Sequence, residues 1–129
     1  MMCRAPVGPY VCILLCALLC LTIPVQAQQR ITPEEALQHV GTAATVCGRV
    51  TQARYAMKSK GAPTFLNFGQ PHPQQAFTAI IWGRWRSHFS YPPESLQGRE
   101  VCISGTITTY KDHAQIEVVR PMQIESTQQ

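Results

Sequence analysis

The sequence predicts an all-β domain with one short N-terminal helix, folded as a small five-stranded barrel. Three observations lead there. From Ala43 onward apolar residues recur with the two-residue period of half-buried strands, and the helical period is absent. Glycine- and proline-containing breaks cut that stretch into short segments. A helix-start pattern, Thr32-Pro33-Glu34-Glu35, precedes them all.

The chain has 129 residues, 45% of them hydrophobic and 14% charged. Those figures exclude a multi-domain enzyme, a polytopic membrane protein, a disordered chain and a cysteine-stapled mini-protein. The apolar residues are unevenly spread. Val11 to Ile23 is an uncharged run, and Cys3, Cys12, Cys16 and Cys20 lie in it or just before it. With Arg4 ahead of the run and Val25-Gln26-Ala27 after it, residues 1–27 read as a signal peptide cleaved after Ala27. The run is shorter than the roughly 20 residues that cross a bilayer, so no stable membrane span is expected after cleavage. Lipid attachment at Cys16 or Cys20 is the other reading, but Leu15 and Leu19 stand where a small residue would precede a lipidated cysteine. The expectation is a secreted or periplasmic protein whose residues 28–129 form a single domain.

Within that domain the elements follow in order. Thr32 can cap a helix, Pro33 suits its first turn and Glu35 can complete a capping box. Ala36, Leu37 and Val40 supply a short apolar stripe, and Gly41 can end it. Ala43 to Tyr55 is a long first strand, and Lys58 to Pro63 a turn. Thr64 to Phe68 is the second strand, broken by Gly69-Gln70-Pro71-His72-Pro73. Phe77 to Trp82, rich in branched and aromatic residues, is the third. Arg86 to Gly98 is irregular, with one helical turn at Pro93 to Leu96. Glu100 to Tyr110 is the fourth strand, Lys111-Asp112-His113 a tight turn and Ala114 to Val119 the fifth.

Signal cleavage leaves two cysteines, Cys47 and Cys102, in an oxidising compartment. They either form a disulfide or remain two buried thiols. A bond would close a loop of 56 residues, for which chain entropy gives roughly 4 kcal/mol. Strand parity places both cysteines opposite the apolar faces, Cys47 with Thr45 and Arg49, Cys102 with Ser104 and Thr106. That parity favours a disulfide on the outer surface.

Thr45-Val46-Cys47-Gly48-Arg49-Val50, Pro63 to Gly69, Phe77 to Gly83, Gly98 to Gly105 and Tyr110 to Val118 together resemble small secreted bacterial OB-fold domains of the nucleic-acid-binding type. The resemblance spans roughly Val40 to Ile124 and implies a five-stranded OB barrel, here without an attached nuclease domain. It also implies that the first and fourth strands are antiparallel neighbours, as a Cys47–Cys102 bond requires. OB barrels bind oligosaccharides, proteins and small ligands as well as nucleic acids.

Charge placement points to a ligand face. The net charge is +4 for the whole chain, and no acidic residue occurs between Glu35 and Glu94. The same interval carries Arg49, Arg54, Lys58, Lys60, Arg84 and Arg86, cations that would attract a phosphate backbone. Phe65, Phe68, Phe77, Trp82 and Trp85 are interleaved with them. Parity assigns Phe68 and Phe77 to the core. Phe65 and Trp82 either stack bases or fill the barrel, and Trp85 is an exposed platform between two arginines.

The expected phosphate contacts are Arg54, Lys58 and Lys60 from the first loop, with Arg84 and Arg86 across the groove. The expected stacking residues are Phe65, Trp82 and Trp85. His39, His72, His88 and His113 lack metal-ligand spacing, and neither a nucleophile elbow nor paired carboxylates occur. The expectation is a non-catalytic module without cofactor that binds single-stranded DNA or RNA. A periplasmic protein-interaction or structural module, or an oligosaccharide or small-ligand binder, is the alternative.

Overall fold

The computed structural model describes residues 21–24 and 28–127. Apart from residues 21–24, the expected signal peptide and its cleavage site lie outside the described residues. Among the described residues no helix is long and apolar enough to cross a membrane.

Among the described residues eight strands appear: β1 (Arg30–Ile31), β2 (Ala43–Tyr55), β3 (Thr64–Gly69), β4 (Gln75–Ile81), β5 (Glu100–Thr106), β6 (Thr108–Tyr110), β7 (His113–Glu117) and β8 (Ile124–Ser126). They hydrogen-bond in the order β6-β7-β4-β3-β2-β5-β8, with β1 parallel beside β2. The hydrogen-bonded path is not closed into a barrel. Eight strands replace the expected five because two short terminal strands were not visible in the pattern and the fourth strand divides. β5 pairs with β2, whereas β6 pairs with β7, and Ile107 lies between them. Gly105 permits the crossing, since a Cβ there would lie 2.6 Å from Ile116 Cγ2 of β7.

β2 has two antiparallel partners in succession. Ala43 to Arg49 pair with β5, and Val50 to Tyr55 pair with β3 across an irregularity between Val50 and Gln52. The apolar parity of these strands meets in one core, where Val46, Val50, Leu66, Phe68, Phe77, Ile81, Val101, Ile103 and Ile116 are all buried. Phe68 and Phe77, paired in register, hold their rings 5.3 Å apart. Both occupy the core positions their parity predicts.

The N-terminal helix differs in kind. Pro33–His39 is a 3₁₀ helix in which Glu35 Oε2 accepts the Thr32 N–H at 3.1 Å. Three residues per turn align positions i and i+3. Pro33 and Ala36 are therefore buried, while Leu37 and Val40 of the expected α-helical stripe are exposed. Pro93–Leu96 is the expected helical turn, and Gly83–His88 forms a further 3₁₀ segment that no pattern announced. Trp82 lies outside β4, at the start of that segment.

Cys47 and Cys102 face each other in the β2–β5 register and are joined by a disulfide, with Cα atoms 4.0 Å apart. The bond is not on open surface, as parity alone predicts. β1 lies beside β2 and brings Arg30 over it, Nη1 standing 3.5 Å from Cys102 Sγ and 3.9 Å from Cys47 Sγ. Cys102 is consequently only 1% exposed.

Peptide mass mapping after alkylation should find Cys47 and Cys102 unmodified without reductant and both modified with it. The Cys47→Ser/Cys102→Ser double variant should lose about 2–4 kcal/mol of stability in urea unfolding.

Candidate functional site

On the face of the sheet opposite the core, two rows of side chains cross four strands. Gln52, Asn67, Thr78 and Gln115 form one row, and Arg54, Phe65, Ile80 and Glu117 the next. A cleft of about 530 Å³ opens over the first row and over Arg54 and Phe65 of the second, walled by His72 and Pro73 from the β3–β4 loop and by Tyr110 and Lys111 at the β6–β7 turn.

Local backbone chemistry shapes both walls. Lys111 and Asp112 have φ of 49° and 66°, the left-handed pair that a two-residue hairpin turn requires. At the other wall Phe68 pairs with Phe77 but Gly69 pairs with Gln75, so Ala76 is an extra residue in β4. Gly69 has φ 87°, and a Cβ there would sit 3.2 Å from the Ala76 side chain. This bulge brings Gln75 out of the core parity of Phe77 to line the cleft.

The floor is polar and internally bonded. Gln75 Nε2 donates to Thr78 Oγ1 at 3.2 Å, and the Thr78 hydroxyl donates to Asn67 Oδ1 at 2.8 Å. Asn67 Nδ2 donates to Gln52 Oε1 at 3.3 Å, and that oxygen also accepts the His72 N–H at 3.1 Å. His113 Nδ1 lies 2.9 Å from the Gln75 carbonyl, which can only accept, so Nδ1 carries the proton. Two cations flank two rings: the Arg54 guanidinium stands 5.8 Å from the Phe65 centroid and Lys111 Nζ 5.4 Å from the Tyr110 centroid. This arrangement can stack a flat ring, bond to its edge and hold an anionic group beside it.

The residues singled out from the sequence are divided by the fold. Arg54 and Phe65 line the cleft. Lys58 and Lys60 are exposed on the β2–β3 turn, Lys58 beside a shallow hollow that Arg54 shares. Trp82 clamps that turn: a Cβ on Gly61 would come within 2.8 Å of its ring. Arg84 is exposed at 3.9 Å from Glu117 and lies over the Trp85 ring. Trp85 is not the open platform its neighbours imply. It packs half-buried against the core, with its Nε1 enclosed.

Arg86 is not free either. It donates to Thr64 Oγ1 at 2.6 Å and to Glu94 Oε2 at 2.8 Å, and its guanidinium stacks 3.6 Å from the Tyr55 ring centroid. The hydrogen bond from Arg86 holds the Glu94 carboxyl below its ordinary pKa of 4.5. The acid-free interval is thus acid-free only along the chain. Glu94, Glu100 and Glu117 come back from the second half to face Arg86, Arg49 and Arg84.

Gln52, Gln75, Gln115, His72, His113, Tyr110 and Lys111 are among the cleft residues that the sequence did not assign to a site. Alternation with Arg54 could have found Gln52. Tyr110 reads as a strand end and Lys111 and His113 as turn residues, and only the parallel β4–β7 pairing carries them to the site.

No protein-family model matches the chain, and no curated protein matches it. Solved structures do resemble it. OBody AM1L10, seen bound to hen egg-white lysozyme, aligns with 82% of this chain and 100% of its own at 15% identity and a TM-score of 0.50. The fold is OB-like. Two aspartyl-tRNA synthetase structures align less well. The one from Leishmania major Friedlin has 12% identity and a TM-score of 0.48, with 85% of this chain covered. The one from Entamoeba histolytica has 15% identity and a TM-score of 0.46, with 78% covered. The chain spans only 23% and 22% of those two synthetases.

Because the folded pKa of Glu94 is depressed, its ion pair adds stability above the unfolded value of 4.5, and that contribution is lost as pH falls through the lower folded pKa. Urea unfolding of Glu94→Gln against the parent protein should show a stability deficit at neutral pH that narrows steadily below pH 4.5.

Proposed function

We propose that this protein is an exported, non-catalytic OB-fold module that holds single-stranded nucleic acid in the cleft, with little sequence preference. In this reading residues 1–27 are a signal peptide, and residues 28–129 are the mature domain. β2, β3, β4, the β5–β6 segment and β7 correspond to the five strands of an OB barrel. Passage of the chain from β2's neighbour β5 to β7's neighbour β6 supports that correspondence.

One observation carries the functional reading: Phe65 and Tyr110 line the same cleft, each with a cation beside it, over a floor of amides and a hydroxyl. Rings stack bases of any sequence, and Arg54 and Lys111 reach phosphates. Lys58 and Lys60 extend the positive edge along the β2–β3 turn. Arg86, Trp82 and Trp85 are engaged in the fold and serve it as supports.

Fluorescence anisotropy with a single-stranded oligonucleotide at several salt concentrations tests the proposal. Binding should be micromolar and weaken as salt rises. Arg54→Ala or Lys111→Ala should each reduce the log–log salt slope by about 0.7. Phe65→Ala should cost about 1–3 kcal/mol of affinity. Absence of binding at low salt would overturn the proposal in favour of a periplasmic interaction or structural module, or an oligosaccharide or small-ligand binder.

A further inference from the structure

The hydrogen-bond relay across the cleft floor can run in only one direction. The His72 backbone N–H is a donor and nothing else, and it donates to Gln52 Oε1. Gln52 Oε1 also accepts from Asn67 Nδ2, which leaves Asn67 Oδ1 to accept the Thr78 hydroxyl. Thr78 Oγ1 in turn accepts from Gln75 Nε2. Flipping the amides would strip the His72 N–H of its acceptor.

Two ends result. At the closed end, Gln75 Oε1 is enclosed and has no donor. Such an unmatched acceptor is rare in a buried network, and here it marks how firmly the His72 N–H sets the direction. At the open end, Gln52 lines the cleft half-buried. Both of its recorded hydrogen bonds use Oε1, so its Nε2 keeps two N–H donors without a partner among the described residues. Arg54 is two residues along the same face, opposite Phe65 in register. The spacing between those two rows is about 7 Å, the width that a base stacked at Phe65 would bridge with its edge.

We infer that Gln52 is a base-reading residue: its Nε2 donates to a carbonyl oxygen or ring nitrogen on the edge of the base stacked at Phe65. The inference rests on the single-stranded nucleic-acid reading of the cleft and adds to it a contact with the base itself. Phosphate contacts hold the strand, whereas this donor distinguishes a chain with bases from one without.

The test compares two probes of equal phosphate number, an oligothymidylate and an abasic spacer oligomer, on the parent protein, Gln52→Glu and Gln52→Met. The carboxylate of Gln52→Glu can still accept from His72 and Asn67, so it keeps the relay while replacing the donors with a second acceptor oxygen and a negative charge. Gln52→Met removes donor and acceptor without adding charge. The parent should prefer the oligothymidylate, and either variant should lower that preference about threefold to tenfold. Gln52→Glu should also weaken both probes through its charge, which the probe ratio cancels. An unchanged ratio in Gln52→Glu overturns the inference, even if Gln52→Met fails to fold. Equal parent binding to both probes overturns it too, while leaving strand binding intact. Failure of the parent to bind either probe overturns the underlying nucleic-acid reading as well.

Discussion

β2 pairs with β5 over its first half and with β3 over its second, and the position of that exchange governs much of the molecule. Val50 sits at the exchange, fully buried, with its N–H bonded to the Arg99 carbonyl and its carbonyl bonded to the Gly98 N–H. Thirteen residues of strand cannot stay flat beside two partners, because strand twist accumulates and an irregularity relieves it. Ahead of the exchange, Cys47 meets Cys102. Beyond it, Gln52 and Arg54 turn to the face that becomes the cleft. A disulfide and a cleft face thus share one strand without competing for the same residues.

Electrostatics in this fold is a matter of which cations remain available. Exposed pairs such as Arg49–Glu100 and Arg84–Glu117 contribute little stability, since water screens both partners. Arg86 is different: it is largely sheltered and anchored by a carboxylate, a hydroxyl and a ring. The pairs matter most through which cations they leave unpaired. Arg54 and Lys111 remain beside aromatic rings at the cleft, with no carboxylate paired to either among the described residues. Lys111 reaches it from far along the chain, as part of a hairpin turn whose backbone geometry has its own local cause.

Much of the fold was legible residue by residue. Ala43 to Tyr55 is the long strand its alternation predicts, and Phe68 and Phe77 fill the core as parity requires. The 3₁₀ geometry at Pro33–His39 was not legible, because so short an element takes its form from packing Pro33 and Ala36 under the sheet. Of the candidate site, Arg54 and Phe65 were found from charge and aromatic character. Gln52 and Gln75 were not: neutral amides carry no signal until a register aligns them with Asn67 and Thr78.

Periodicity is a local property, so the order of residues already contains the longer strands, their inward faces and the outward parity that favours joining Cys47 to Cys102. The cleft and the ion pairs are not local. They depend on the parallel alignment of β4 with β7 and on the bulge at Ala76, which join segments far apart in sequence. Packing of the shared core selects those registers, and shifting β7 by one residue would turn Ala114 and Ile116 out of it. The same registers bring Glu117 to Arg84 and Lys111 to the cleft, changing which of the chain's cations stand at that cleft.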